Sequence, residues 1–138
     1  MNSWQSGDLR PKMSDYVLDA SAILALIFAE TGKERVEQVL DNSSIGRINV
    51  TEALTKMLER GSTIEDALES LDDLGLDIIE FDAAQSKQVA QLRSITKLFG
   101  LSLGDRACLA LAIQNNAVAV TADKDWAKLD ICKVEVIR

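Results

Sequence analysis

Apolar positions along the chain alternate between short runs that suit strands and longer stretches with helical spacing. Tyr16-Val17-Leu18 is a short strand run, and residues 20–29 follow as an apolar helix. Residues 33–40 read as a second helix, and Asp41-Asn42-Ser43-Ser44 as a turn cluster. Over residues 50–60, Val50, Leu54, Met57 and Leu58 recur at helical spacing, and Gly61 suits the end of that helix. Thr63 is placed to cap the next helix, with Asp66 in its first turn and Ile64, Ala67, Leu68 and Leu71 on one face. Residues 77–81 (DIIEF) predict a strand and residues 83–98 a long amphipathic helix. Residues 104–115 are helical, residues 117–121 (AVAVT) a buried strand, and residues 133–137 (KVEVI) a last strand. Ahead of all this, residues 1–12 are polar and aperiodic, carry the only proline, Pro11, and precede a second methionine, Met13. They read as an N-terminal arm or a cloning remnant, leaving 13–138 as one domain.

Strands separated by helices need crossover connections, and these favour parallel pairing. The pattern therefore predicts an α/β fold, a three-layer α/β/α sandwich on a mainly parallel sheet of about four strands. Ligands of such sheets bind beyond the C-terminal ends of the strands. Residues just after the strand runs are accordingly the first candidates for chemistry.

Composition narrows that chemistry. The 138 residues include no histidine, which removes Ser-His-Asp and Cys-His schemes and nearly every zinc site. Cys108 and Cys132 are too few for a disulfide framework and sit in apolar stretches, as buried thiols of a reducing cytoplasm would. A net charge of −7 argues against holding nucleic acid by bulk electrostatics, although bound divalent cations reverse the sign of an acidic site. The longest apolar run, residues 22–29, is far short of a membrane span. A signal peptide is disfavoured by Asp8, Asp15 and Asp19, so the expected location is cytoplasmic, without a membrane.

Most acidic residues lie on polar helix faces or in loops. Asp19 does not, because apolar sequence flanks it on both sides. A buried carboxylate survives by hydrogen bonding, pairing or metal coordination; Asp19 is equally suited to cap the helix it precedes. Asp105 begins a helix apolar almost all round and shares a face with Cys108, Leu109 and Ala112. It can serve as a first-turn partner of the helix dipole or as an inward functional acid. Asp123 directly follows the AVAVT strand, where it can open a turn or join a site; Asp125 is its rival. Glu52 lies roughly opposite the Val50/Leu54 stripe, a position that by itself suits a solvated side chain.

Together these acids change the picture. Clustered carboxylates repel one another unless cations neutralise them, and oxygen-only ligands favour Mg²⁺ or Mn²⁺. Such a site suits hydrolysis of a phosphodiester by water activated on the cation.

The residues in question also resemble a known family. Val17-Leu18-Asp19-Ala20-Ser21-Ala22-Ile23-Leu24-Ala25 resembles the opening strand and helix of PIN-domain nucleases. Gly100-Leu101-Ser102-Leu103-Gly104-Asp105-Arg106-Ala107-Cys108-Leu109-Ala110-Leu111-Ala112 closely resembles the third motif of their VapC-type toxin branch, and Val120-Thr121-Ala122-Asp123-Lys124-Asp125-Trp126 the fourth. The resemblance implies that Asp19, Asp105 and Asp123 bind metal, that Glu52 is the fourth acid, and that Ser21 and Thr121 support the acids by hydrogen bonding. It implies an Mg²⁺- or Mn²⁺-dependent endoribonuclease acting on RNA, the toxin of a toxin–antitoxin pair. A homodimer and a small antitoxin protein covering the acidic pocket are implied as well. Residues 45–49 (IGRIN) are more polar than the run expected before that glutamate.

Lys56, Arg60, Arg106, Lys124 and Lys128 flank the acids along the sequence and are candidates for tracking phosphates, or ordinary surface charges. Two other classes of function remain: a receiver-like phosphoacceptor domain, and a PIN-like module that binds without catalysis. The first would want an adjacent acidic pair after the first strand, which Asp19 lacks.

Overall fold

The structure is a computed structural model and describes residues 14–138; the arm expected over residues 1–12 lies outside the described residues. Five strands form one parallel sheet: β1 (Tyr16–Leu18), β2 (Ser43–Gly46), β3 (Asp77–Ile79), β4 (Val118–Thr121) and β5 (Val134–Val136). Their order is β3-β2-β1-β4-β5, so β1 is the central strand, paired in register with Ile45 and Val120 at Leu18. Between the strands run six helices: α1 (Ala20–Ile27), α2 (Lys33–Val39), α3 (Arg47–Glu59), α4 (Ile64–Asp72), α5 (Ala83–Thr96) and α6 (Leu103–Asn115).

Side chains of successive strand residues point to opposite faces, and this alternation sorts the core into two halves. Val17 and Ala119 join Val89 and Leu92 of α5, Cys108, Leu109 and Ala112 of α6, and Trp126. Leu18 and Val120 face the other way, onto Ile23 of α1, Val36 of α2, Ala53 and Met57 of α3, and Leu71 of α4. The result is the expected sandwich of helices on both sides of a parallel sheet.

One correction concerns the sheet. It has five strands where about four were expected, and β2 is the addition. Its first two residues, Ser43 and Ser44, were expected in a turn, but only Leu40–Asn42 turns, as a short 3-10 segment, before the chain enters the sheet. Ser43 and Ser44 are buried there, and the Ser43 hydroxyl donates to the Val39 carbonyl at 2.7 Å. Pairing with β1 on one edge and β3 on the other satisfies the backbone, so small polar residues can occupy an inner strand. The same shift accounts for the polar stretch before Glu52. Residues 45–46 close β2, and α3 begins at Arg47, a turn earlier than the apolar pattern indicated.

Both cysteines are free thiols, Cys108 buried and Cys132 half-buried. No helix among the described residues is long and apolar enough to cross a membrane.

Candidate functional site

The central strand delivers Asp19 to the C-terminal edge of the sheet. Its backbone amide still belongs to the ladder, donating to the Val120 carbonyl at 3.0 Å, and its side chain opens α1 as the N-cap. One carboxylate oxygen accepts from the Ser21 hydroxyl at 2.7 Å and the Ala22 amide at 2.8 Å; the other accepts from the Thr121 hydroxyl at 2.6 Å. Asp19 is thus both a cap and a buried acid, 6% exposed. Burial raises its pKa, the three hydrogen bonds pull it down and the charge of Asp105 pushes it up, leaving it at about 6. Its donors are all neutral, and no lysine or arginine among the described residues figures among these influences.

Asp105 sits half-buried in the first turn of α6, where it forms a capping box with Ser102. The Ser102 hydroxyl accepts from the Asp105 amide at 3.1 Å, and the Asp105 carboxylate accepts from the Ser102 amide at 3.0 Å. Its charge reaches both Asp19 and Glu52, raising the pKa of each. Glu52 is half-buried and not fully solvated, because α3 turns it toward α6. Its carboxylate lies against Gly104, where an added Cβ would overlap it. The Asn49 amide donates to Glu52 Oε1 at 3.0 Å and to the Gly104 carbonyl at 3.1 Å. Burial raises the Glu52 pKa most, ahead of the lowering by the Asn49 hydrogen bond. A groove of about 430 Å³ runs alongside, lined by Glu52, Thr51, Lys56, Ser102 and Leu103 among others.

Asp123 is exposed just beyond β4 and caps the 3-10 turn Lys124–Lys128, accepting from the Asp125 amide at 2.9 Å. Its own amide donates to the Thr121 hydroxyl at 3.0 Å, so one threonine ties the backbone of Asp123 to the carboxylate of Asp19. Asp125 is exposed beside Lys128, with 3.9 Å between their charged atoms. Of the candidate cations, Lys56 lines the groove with Glu52 and lowers its pKa, while Lys124 lines a second hollow with Asp123. Arg60 is engaged elsewhere, with Glu30 at 3.3 Å and over the Phe28 ring. Arg106 turns inward and donates to the Val89 carbonyl of α5 at 3.0 Å.

Asp19, Asp105 and Glu52 therefore form an electrostatically linked series, with Asp123 joined to it through Thr121. Among the described residues, no three acids or cysteines stand close enough to share one ion as the side chains are turned. Each acid has taken a neutral donor of its own: hydroxyls at Asp19, the Asn49 amide at Glu52, backbone amides at Asp105 and Asp123. The donor set nevertheless suits a hard divalent cation, being all oxygen, and Asp19 keeps a buried carboxylate that no positive charge among the described residues offsets. Sequence reasoning missed Asn49 and Gly104. The available signals were an amide one helical turn before Glu52 and a glycine in a helical first turn.

A family model described as PIN domain matches residues 16–131. The chain belongs to the PIN-domain family. PIN domains are nuclease domains, and membership sets aside the receiver-like alternative. Comparison with curated protein sequences returned no match. Among solved structures, this PIN domain is similar to a chain of DNA-bound VapBC from Salmonella typhimurium. The two share 17% identity and a TM-score of 0.71, over 91% of this chain and 100% of that one. A chain of VapBC2 from Rickettsia felis, bound to a DNA fragment from their promoter, is 22% identical with a TM-score of 0.68, over 87% and 96%. VapBC-5 of Mycobacterium tuberculosis, a toxin–antitoxin system, gives 24% and 0.61, over 93% and 99%. At such identities the likeness speaks for the fold.

Proposed function

We propose that this PIN domain is a divalent-cation-dependent endoribonuclease, using Mg²⁺ or Mn²⁺, and the toxin of a toxin–antitoxin pair. The observation that carries the reading is Asp19, a buried carboxylate at the C-terminal end of the central strand, held by neutral donors and facing the charge of Asp105. Asp19, Asp105 and Asp123 would hold the ion, with Glu52 as the fourth acid. When bound, the cation supplies Lewis acidity toward water and toward charge developing on a phosphate.

The chain's own residues do the rest. Ser21, Ala22 and Thr121 fix the orientation of Asp19 before any ligand arrives, so the other acids would turn toward it on binding the ion. Glu52, with its pKa raised, is suited to take up and return a proton beside the reacting phosphate. The adjoining groove offers the Thr51, Thr55 and Ser102 hydroxyls and the Lys56 ammonium to a ribose-phosphate chain.

The test is cleavage of RNA by the purified protein with Mg²⁺ or Mn²⁺, with and without EDTA. Asp19→Asn and Asp105→Asn are expected to abolish cleavage while remaining folded, and EDTA to mimic them. Full activity in either variant overturns the site. Binding of RNA without cleavage under every metal condition would leave a silent binding module in its place.

The toxin reading draws its support from the VapBC complexes among the similar folds. It implies a small antitoxin that covers the acids, placing a guanidinium among them. A homodimer belongs to the same proposal. Titrating Mg²⁺ into the native complex should compete with inhibition; a partner that inhibits with an affinity indifferent to metal would overturn this mode of silencing.

A further inference from the structure

We propose that Asn49 and Gly104 form a built seat for the Glu52 carboxylate and are positioning residues of the acidic site. The assignment rests on reading Glu52 as one of the functional acids. Gly104 is the floor of the seat. It is buried at the start of α6, and the nearest atoms to a Cβ built on it are both carboxylate oxygens and the carboxyl carbon of Glu52. Its backbone is helical and outside the left-handed region, so the conformation does not call for glycine. Glycine is among the poorest helix formers, and alanine would serve the helix better. An alanine methyl would take the space that the Glu52 carboxylate fills, and the carboxylate would have to leave its seat.

Asn49 is the wall. It is 1% exposed, and its amide nitrogen donates to Glu52 on its own helix and to the Gly104 carbonyl on the neighbouring one. Its side-chain oxygen has no hydrogen-bond partner among the described residues. A buried amide with an unpaired oxygen is a costly way to fill a helix interface, where an apolar side chain would pack without that penalty. The bonds it does make pin one oxygen of Glu52 and tie α3 to the first turn of α6. Asp105 is the next residue after Gly104, so the seat also sets how Glu52 stands relative to Asp105. Two residues far apart in sequence, each unfavourable in its own element, thus share one explanation.

The experiment is a double-mutant cycle on the full chain in EDTA, with thermal melting as the readout, together with steady-state RNA cleavage in Mg²⁺. In the Glu52→Ala background Gly104→Ala is expected to raise the melting temperature by about 3 °C, because only the helix propensity remains. In the wild-type background the same methyl must displace the carboxylate and break its bond to Asn49, so the gain should be smaller or reversed. The coupling between the two positions is the signature. Equal changes in both backgrounds overturn the seat, as does a double variant that fails to fold. If Gly104→Ala alone is too unstable to purify, a double variant that melts above Glu52→Ala supports it. In cleavage, Asn49→Ala and Gly104→Ala should lower kcat at least about tenfold with KM within about twofold, as for a misplaced acid outside the binding surface. Unchanged kcat in both, in an active wild type, overturns the positioning role. A wild type that cleaves no RNA overturns the ribonuclease reading instead, and the coupling between the melting shifts still decides the seat.

Discussion

A carboxylate that accepts three hydrogen bonds would ordinarily titrate below its usual range; at Asp19 burial outweighs them and the pKa rises to about 6. The folded state holds the proton more tightly than the unfolded chain, whose value is near 3.8, so this stabilisation is complete below that pH and is lost as pH rises through 6. At neutral pH the deficit is about 3 kcal/mol in metal-free protein. Asp19→Asn should therefore melt above wild type in EDTA at pH 7.5, with the gap closing toward pH 4. Equal melting temperatures at pH 7.5 would show that the charge is already compensated. Asp19 was legible in the sequence because apolar residues flank it on both sides. The partial burial of Glu52 was not legible from periodicity, because a stripe drawn through Val50 and Leu54 ignores Asn49; only the family resemblance singled that residue out. The residues of α3 that are actually buried are Asn49, Val50, Ala53 and Met57, and Glu52 borders that set. A buried amide is invisible to a pattern built on hydrophobicity.

At the scale of elements, helices and most strands could be read because their caps and periodicities are local. Thr63 caps α4 by accepting from the Asp66 amide at 3.1 Å, as its spacing indicated. β2 escaped because its character is imposed from outside: a Ser-Ser-Ile-Gly segment becomes a strand only when β1 and β3 pair with both its edges. The start of α6 illustrates how one element serves fold and site together. Ser102→Ala removes half of the capping box and should cost about 1 kcal/mol in denaturant unfolding. It should also lower cleavage, since the Asp105 carboxylate is tied to the same turn; a destabilised variant with full activity would separate cap from site. Arg106, a candidate for phosphate contact by its place in the sequence, belongs instead to the packing of α6 on α5. Arg106→Ala should lower stability and leave the affinity for RNA nearly unchanged, as a binding isotherm at fixed salt would reveal.

The whole molecule carries a net charge of −7, and most of the candidate cations near the acids have partners of their own. Arg60 is held by Glu30, Arg106 by the Val89 carbonyl, and Lys128 lies 3.9 Å from Asp125. Lys56, 3.4 Å from Glu59, and Lys124 are the two candidate cations that line hollows together with an acid of the site, Glu52 and Asp123 respectively. RNA affinity on this account comes from a bound divalent ion and very few local charges. Two expectations distinguish it from a basic binding surface. Raising monovalent salt should weaken RNA binding with a log–log slope no steeper than about −2, the value for some three phosphate contacts on a single strand. Mg²⁺ should raise the melting temperature in proportion to the logarithm of its concentration above its dissociation constant, because an ion that binds only the folded acids stabilises by mass action. Asp19→Asn should flatten that response while keeping its own metal-free stability. A steep salt slope that survives EDTA would mean that RNA is held by a cationic surface away from the acids. A melting temperature that Mg²⁺ leaves unmoved in the wild type would mean that the acids do not form a metal centre at all.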